Sequence, residues 1–273
     1  MKLSVWSSYY YDLSPEDALR ELKAHSYNCC EISFEHACVI MERGDIKAEG
    51  AKFGEFARTL GMDISQGHLS YEARLCQKEG MDFLKKQIDL FLSMGVKNAV
   101  LHCDALKWWN KTPSKEEQIF ENYKALCEIL DYIKDTDMVI CLENLISTEF
   151  VNNVDGLMYF IEKFNSKNLG ICLDTGHLHL RDKDQVNFIR KAGKHIKALH
   201  LADNQGKEDQ HLMPFGCGGV DFEAVIREMK SLGYDGLYNL EIPGERCAPV
   251  EILGYKLDYI QKIMKYLDKV TES

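Results

Sequence analysis

The chain has 273 residues, 45% of them hydrophobic, and a formal net charge of −10. A single α/β barrel of ~250 residues fits that length, and the acidic balance argues against a broad, sequence-independent grip on a polyanion, which needs clustered lysine and arginine. The opening MKLSVWSSYYYDL lacks the apolar run and small-residue cleavage site of a signal peptide, and no stretch reaches the roughly 18 apolar residues of a membrane span. A cytoplasmic protein that leaves membranes alone is therefore expected. Its ten cysteines should be reduced thiols: there is no CxxC pair, Cys141 and Cys172 fall in apolar strands, and Cys127 falls on a helical apolar face.

Short apolar runs alternate with amphipathic stretches from the start. LSVWS, from Leu3, is the first strand. Ser14-Pro15-Glu16-Asp17 then opens a helix, with Ser14 as N-cap, Pro15 at the first helical position and acid in the first turn. CCEISFE (29–35) reads as the second strand, and the helical segment after it carries Phe53, Phe56, Ala57 and Leu60 and ends at Gly61. DISQGHL is the third strand, with His68 at its end, followed by a long helix around Phe83, Leu84, Ile88, Phe91 and Leu92 that stops at Gly95.

NAVLHC (98–103), with His102 near its end, is the fourth strand. Ser114 and Glu117 form a capping box ahead of Ile119, Phe120, Tyr123, Leu126, Cys127, Leu130 and Ile133 at helical spacing. The remaining strands are MVICLEN (138–144), LGICLDTGH (169–177), IKALHLAD (196–203) and LYNLEI (237–242), with helices near 153–165, 184–195, 221–232 and 249–269. Strict alternation of eight apolar strands with eight helices implies a parallel sheet covered by helices, closed as a (β/α)8 TIM barrel over 1–273 in one domain. An open doubly wound sheet is the structural alternative.

In such a barrel the reactive side chains lie at the C-terminal strand ends and in the loops that follow. Those ends read His68, His102, Glu143, Asp174, His200 and Glu241, and the next loops add His177 and the pair Asp209 and His211. Parity supports the arrangement, because alternate residues share a face. Glu143 goes with Cys141 and Val139, Asp174 with Cys172 and Gly170, and His200 with Ala198 and Ile196, small or apolar companions suited to a barrel interior. Each acid alone could be a structural partner of lysine or arginine. Together, like charges at one mouth repel unless a cation neutralises them, which points to a divalent metal.

ICLDTGHLHL, HLADNQGKEDQHLMPFGCGGVDF, CLEN and LYNLEIPG resemble the sugar isomerase/epimerase group of xylose-isomerase-like barrels. That resemblance implies a divalent metal (manganese, cobalt, zinc or magnesium) at the positions of Glu143, Asp174, His200 and Glu241. It also implies acid and base roles for the two glutamates, substrate contact at His177, and no organic cofactor. Endonuclease IV, a trinuclear zinc enzyme of the same superfamily, has ligand types matching His68, His102, Glu143, Asp174, His177, His200, Asp209, His211 and Glu241. The run NLISTE after Glu143 and the scarcity of basic residues after His200 depart from that nuclease. The arginine that ketose epimerases carry beyond the matching histidine is also absent, Lys207 being the nearest cation.

The expected activity is thus metal-dependent isomerisation or epimerisation of a sugar or sugar phosphate, with proton transfer through an enediolate between Glu143 and Glu241. A keto-sugar dehydratase, a zinc phosphodiesterase of endonuclease IV type and a non-catalytic metal-binding barrel are the alternatives; nucleic acid is not the expected partner. Trp108 and Trp109, with Trp6 and Phe34, are candidates to stack on a sugar face or to pack in a homo-oligomer contact. Gly216, Gly218 and Gly219 are candidates for a phosphate cradle or a tight turn into the next helix.

Overall fold

Strands that are apolar on both faces must be covered on both, and a parallel sheet closed on itself and ringed by helices does this. The computed structural model describes residues 1–106, 113–245 and 247–270. Its strands are β1 (Lys2–Trp6), β2 (Cys29–Ile32), β3 (Asp63–His68), β4 (Asn98–Leu101), β5 (Val139–Glu143), β6 (Leu169–Asp174), β7 (Ile196–Leu201) and β8 (Leu237–Leu240). They pair in parallel in chain order, and β8 returns to pair with β1, closing the barrel. The closed (β/α)8 architecture is the one expected, and the open sheet is excluded.

The described residues contain ten α-helices: α1 (Pro15–Ala24), α2 (Phe34–Met41), α3 (Ile46–Leu60), α4 (Lys78–Met94), α5 (Lys115–Ile133), α6 (Val154–Phe164), α7 (Thr175–His179), α8 (Gln185–Ala192), α9 (Phe222–Ser231) and α10 (Val250–Val270). The two beyond the expected eight, α2 and α7, shorten strands that the apolar runs had extended. Ser33 accepts the His36 N–H as an N-cap, so β2 stops at Ile32 and Phe34 is helical rather than extended. Asp174 accepts the His177 N–H in the same way, so β6 stops there and His177 lies in a helix. On α5, Phe120 is 59% exposed and Cys127 is exposed, whereas Asn122 is fully buried; the spacing had placed Phe120 and Cys127 on the buried face. Asn122 earns burial by bonding Asp104, accepting its N–H and donating to its carbonyl.

The barrel interior is split. Val100, Cys141, Cys172 and Ala198, from β4 to β7, form a small apolar cluster of their own. On the other side, Ser4 donates to Asn239 and Gln66 donates to Glu31, all four fully buried. Outside the barrel, α3 and α4 meet closely through two glycines one turn apart. A Cβ on Gly50 would lie 2.8 Å from the Leu90 carbonyl oxygen, and one on Gly54 would lie 2.4 Å from that of Met94. Backbone cannot yield as a side chain can, so Gly54→Ala should cost about 1–3 kcal/mol by overpacking. Chemical denaturation of the two proteins would show a lower midpoint at unchanged slope.

Candidate metal centre at the barrel mouth

The strand ends deliver their side chains to one place. Glu143 is the last residue of β5, Asp174 the last of β6, His200 the penultimate residue of β7, and Glu241 follows β8. Each offers a ligand atom, and these atoms lie within 4.8 Å of one another, all on buried residues. Glu143 Oε1, Asp174 Oδ2, His200 Nδ1 and Glu241 Oε2 are buried without a hydrogen-bond partner among the described residues. His200 Nδ1 stands 3.0 Å from Glu241 Oε2 and 3.4 Å from Glu143 Oε1. Unpaired buried polar atoms are costly, and four of them converging from carboxylate and imidazole make a donor set that a divalent cation fits.

Two further groups flank this one. His68, His102 and Glu143 form a triad, as do His177, Asp209 and His211. The second oxygen of Glu143 accepts from His102 Nε2 at 2.8 Å and lies 3.3 Å from His68 Nε2. Asp209 Oδ2 is 3.2 Å from both His177 Nε2 and His211 Nε2.

The outward nitrogens explain how the rings are aimed. His68 Nδ1 bonds the Leu69 carbonyl at 2.7 Å, His177 Nδ1 the Asn144 carbonyl at 2.9 Å, and His211 Nδ1 the Glu241 carbonyl at 2.8 Å. A backbone carbonyl can only accept, so in each ring Nδ1 carries hydrogen and Nε2 faces the cluster.

Asn144 braces the centre between strands, accepting the Asp174 N–H and donating to its carbonyl. The loop after β7 is clipped by Asp203, whose Oδ1 accepts the N–H groups of Asn204, Gly219 and Val220. Asp203 also pairs its backbone with Leu212 in both directions at 2.8 Å. His211, next to that pair, sits at φ +46, a left-handed conformation unusual for a non-glycine residue and one the clip helps to hold. Gly218 packs so close to the Asp203 carboxylate that a Cβ would lie 2.1 Å from it. The Gly219 amide is spent on Asp203, and the Gly216 amide on the Met213 carbonyl at 3.1 Å. This glycine run therefore serves the turn, and those two amides do not form a phosphate cradle.

The charges respond to this crowding. Burial together with the Glu241 and Glu143 charges outweighs His177 and pushes the Asp174 carboxyl up to about 7. Against burial, Glu143, Glu241 and Glu31 raise His68 to about 9, and Asp209, Glu241 and Asp174 raise His211 to about 10. His177 is lifted well above the usual range against its burial, chiefly by Asp174 and Asp209. Glu143, despite burial, is held well below the carboxylate range by His102, His200 and His177, and Glu241 is lowered to about 2 by His200 and His211.

The centre opens into a pocket of about 460 Å³ lined by His68, His102, His177, Asp209, His211 and both glutamates, with Trp6, Tyr71, Gln210 and Pro243 as its wall. Among the described lining residues there is no lysine or arginine. Lys207, expected near the substrate, is exposed and does not line the pocket. Trp108 and Trp109 lie outside the described residues. Trp6 stands at the mouth with its Nε1 bonded to the Ile242 carbonyl at 2.8 Å, and Phe34 packs edge-on against Tyr71 instead of reaching the cavity. Sequence reasoning missed Glu31, Asn144, Asp203 and Tyr71 as parts of the site. For Asn144 and Asp203 the signal was present: a polar residue just beyond a buried strand.

A family model described as xylose isomerase-like TIM barrel matches residues 19–268, and the chain belongs to that family. A ketose 3-epimerase from Arthrobacter globiformis is 24% identical over 163 residues, 58% of this chain and 54% of that protein. A probable endonuclease 4 from Mycoplasmopsis synoviae is 32% identical over 145 residues, 49% of this chain and 50% of that protein. The match thus spans about half the length of each. The crystal structure of a D-tagatose 3-epimerase-like protein superposes with a TM-score of 0.80 at 21% identity, covering 100% of this chain and 98% of that one.

Protonation and metal binding should oppose each other. Asp174 keeps its proton up to about 7, and His68 and His211 keep theirs up to about 9 and 10. An unfolded chain releases these protons near pH 3.9 and 6.5. The chelator-treated protein should therefore lose stability as pH rises, through Asp174 between about 4 and 7 and through His68 and His211 between about 6.5 and 10. It should also lose stability below about pH 4.5, where Glu143 and Glu241 begin to be protonated in the unfolded chain first. Ligands must be deprotonated to bind metal, so affinity should rise over the same upper range. Calorimetric titration with zinc near pH 7 in buffers of different ionisation enthalpy should report at least one proton released per ion.

Proposed function

We propose that this member of the xylose isomerase-like TIM barrel family is a divalent-metal-dependent isomerase or epimerase of a sugar or sugar phosphate. One observation carries the reading: two glutamates, from β5 and from the end of β8, converge with Asp174 and His200 on one spot at the floor of a pocket of about 460 Å³. Shuttling a proton next to a sugar carbonyl needs two carboxylates addressing one bound substrate from different strands. The epimerases among the relatives support the substrate class.

Glu143, Asp174, His200 and Glu241 would hold the ion, of the zinc, manganese, cobalt or magnesium kind. When bound, the ion supplies Lewis-acid stabilisation of negative charge developing on the substrate oxygens. The protein does the rest. Asp174 is fixed at its backbone by Asn144 and at Oδ1 by the His177 N–H, which leaves Oδ2 to face the centre. Glu143 and Glu241 are both ionised at neutral pH, so either can take the proton from the substrate carbon; the other donates only after taking up a proton from solvent, and the first releases its proton to solvent to complete the cycle. Trp6 and Tyr71 offer flat apolar surface to the sugar at the pocket wall.

A second reading is favoured by a specific observation, the two flanking triads. Three ions side by side would suit phosphodiester hydrolysis of the endonuclease IV type. The two readings separate by metal content. Elemental analysis of protein purified without chelator should give one ion per chain, lost in His200→Ala and kept in His102→Ala. Two or three zinc ions, reduced by both substitutions, would favour the hydrolase.

For the isomerase reading, a screen of free ketoses in D2O with the metal-loaded enzyme should place solvent deuterium on the isomerised carbon. Glu143→Gln and Glu241→Gln should each lower turnover by at least about 100-fold. Turnover with no deuterium incorporation would exclude the proton-shuttle mechanism.

A further inference from the structure

Glu31 is fully buried in β2, on the far side of the barrel from β7, and no described lysine or arginine is paired with it. Its Oε2 lies 2.9 Å from His200 Nε2, across the lumen, and the same oxygen accepts from Gln66 Nε2, the residue directly opposite in β3. His200 is fully buried too, and its other nitrogen faces Glu143 and Glu241. The ring is thus oriented the opposite way from His68, His177 and His211. Those three are held at Nδ1 by backbone carbonyls and present Nε2, whereas His200 is held at Nε2 by a side chain and presents Nδ1.

A buried carboxylate is an expensive way to fill space, and an apolar side chain of similar size would pack at lower cost. What a carboxylate adds is a strong acceptor for the Nε2–H, which fixes the ring's rotation and makes the opposite nitrogen a better donor. Gln66 in turn fixes the carboxylate.

We propose that Glu31 is a positioning residue of the metal centre, accepting the Nε2–H of His200 across the barrel so that Nδ1 is the ligand atom. The inference rests on the reading of Glu143, Asp174, His200 and Glu241 as a metal site.

The test is cobalt and zinc affinity by chelator competition, measured on wild type, Glu31→Gln, Glu31→Leu and His200→Ala, beside thermal unfolding of each metal-free protein. Glu31→Leu should bind about 10- to 100-fold more weakly, and it should also lower metal-free stability, because it leaves the His200 and Gln66 N–H groups unpaired. Glu31→Gln keeps an acceptor oxygen and should lose less. Unchanged affinity in both variants, with loss in His200→Ala, would overturn the role of Glu31 and leave the metal site standing. Wild-type affinity in Glu31→Gln, with weakening and loss of metal-free stability confined to Glu31→Leu, would mark Glu31 as structural only. No binding by wild type would remove the site itself and this inference with it.

Nitrogen-15 histidine spectra of the zinc-loaded wild type provide a check that needs no variant to fold. The His200 ring should show a protonated Nε2 and a metal-bound Nδ1. The reverse assignment would overturn the proposal.

Discussion

Buried negative charge at the barrel mouth is the constraint from which most of this molecule follows. Glu31, Glu143, Asp174 and Glu241 are each at least 94% buried, and the ion-pair partners seen for them are imidazoles. In a low-dielectric interior such a group of carboxylates is tolerable only with compensating positive charge. Without metal, the histidines must supply it as protonated rings, which is why His68, His177, His200 and His211 are all pushed upward. A cation bound there, as proposed, would relieve both strains at once, releasing the protons and satisfying the unpaired atoms.

The rest of the architecture holds those charges in place. The polar half of the interior, from β8 round to β3, lies behind His200 through Glu31 and Gln66. The apolar half, from β4 to β7, lies beneath Glu143 and Asp174 with small side chains and two thiols. Strands carry Glu143, Asp174 and His200, with Glu241 just past the end of β8, whereas α7 and the loop after β7 carry His177, Asp209 and His211. A site made of both parts can keep its chemistry fixed while its rim varies.

Much of this was legible in the sequence because two periodicities are simple. Alternation within a strand puts Glu143 above Cys141, Asp174 above Cys172 and His200 above Ala198, and the same small residues form the interior cluster of the fold. What could not be read was anything depending on contact across the barrel. Glu31 sits in CCEISFE among apolar neighbours, and its partner His200 is 169 positions away, so no local pattern distinguishes it from a mouth-facing acid. The ends of β2 and β6 were misjudged because Ser33 and Asp174 cap new helices there, a competition between side-chain capping and strand continuation that composition alone does not decide. The glycines before α9 suggested an anion site, but amides of that turn were already committed to Asp203.

Asp203 closes the long loop after β7 at its base. Its carboxylate and backbone tie residues 204, 212, 219 and 220 together there, while Asp209 and His211 tie the loop back to His177 and to the Glu241 carbonyl. A related chain could therefore change what its pocket admits at Gln210 and the exposed positions before it while Glu143, Asp174, His200 and Glu241 stay where the barrel puts them.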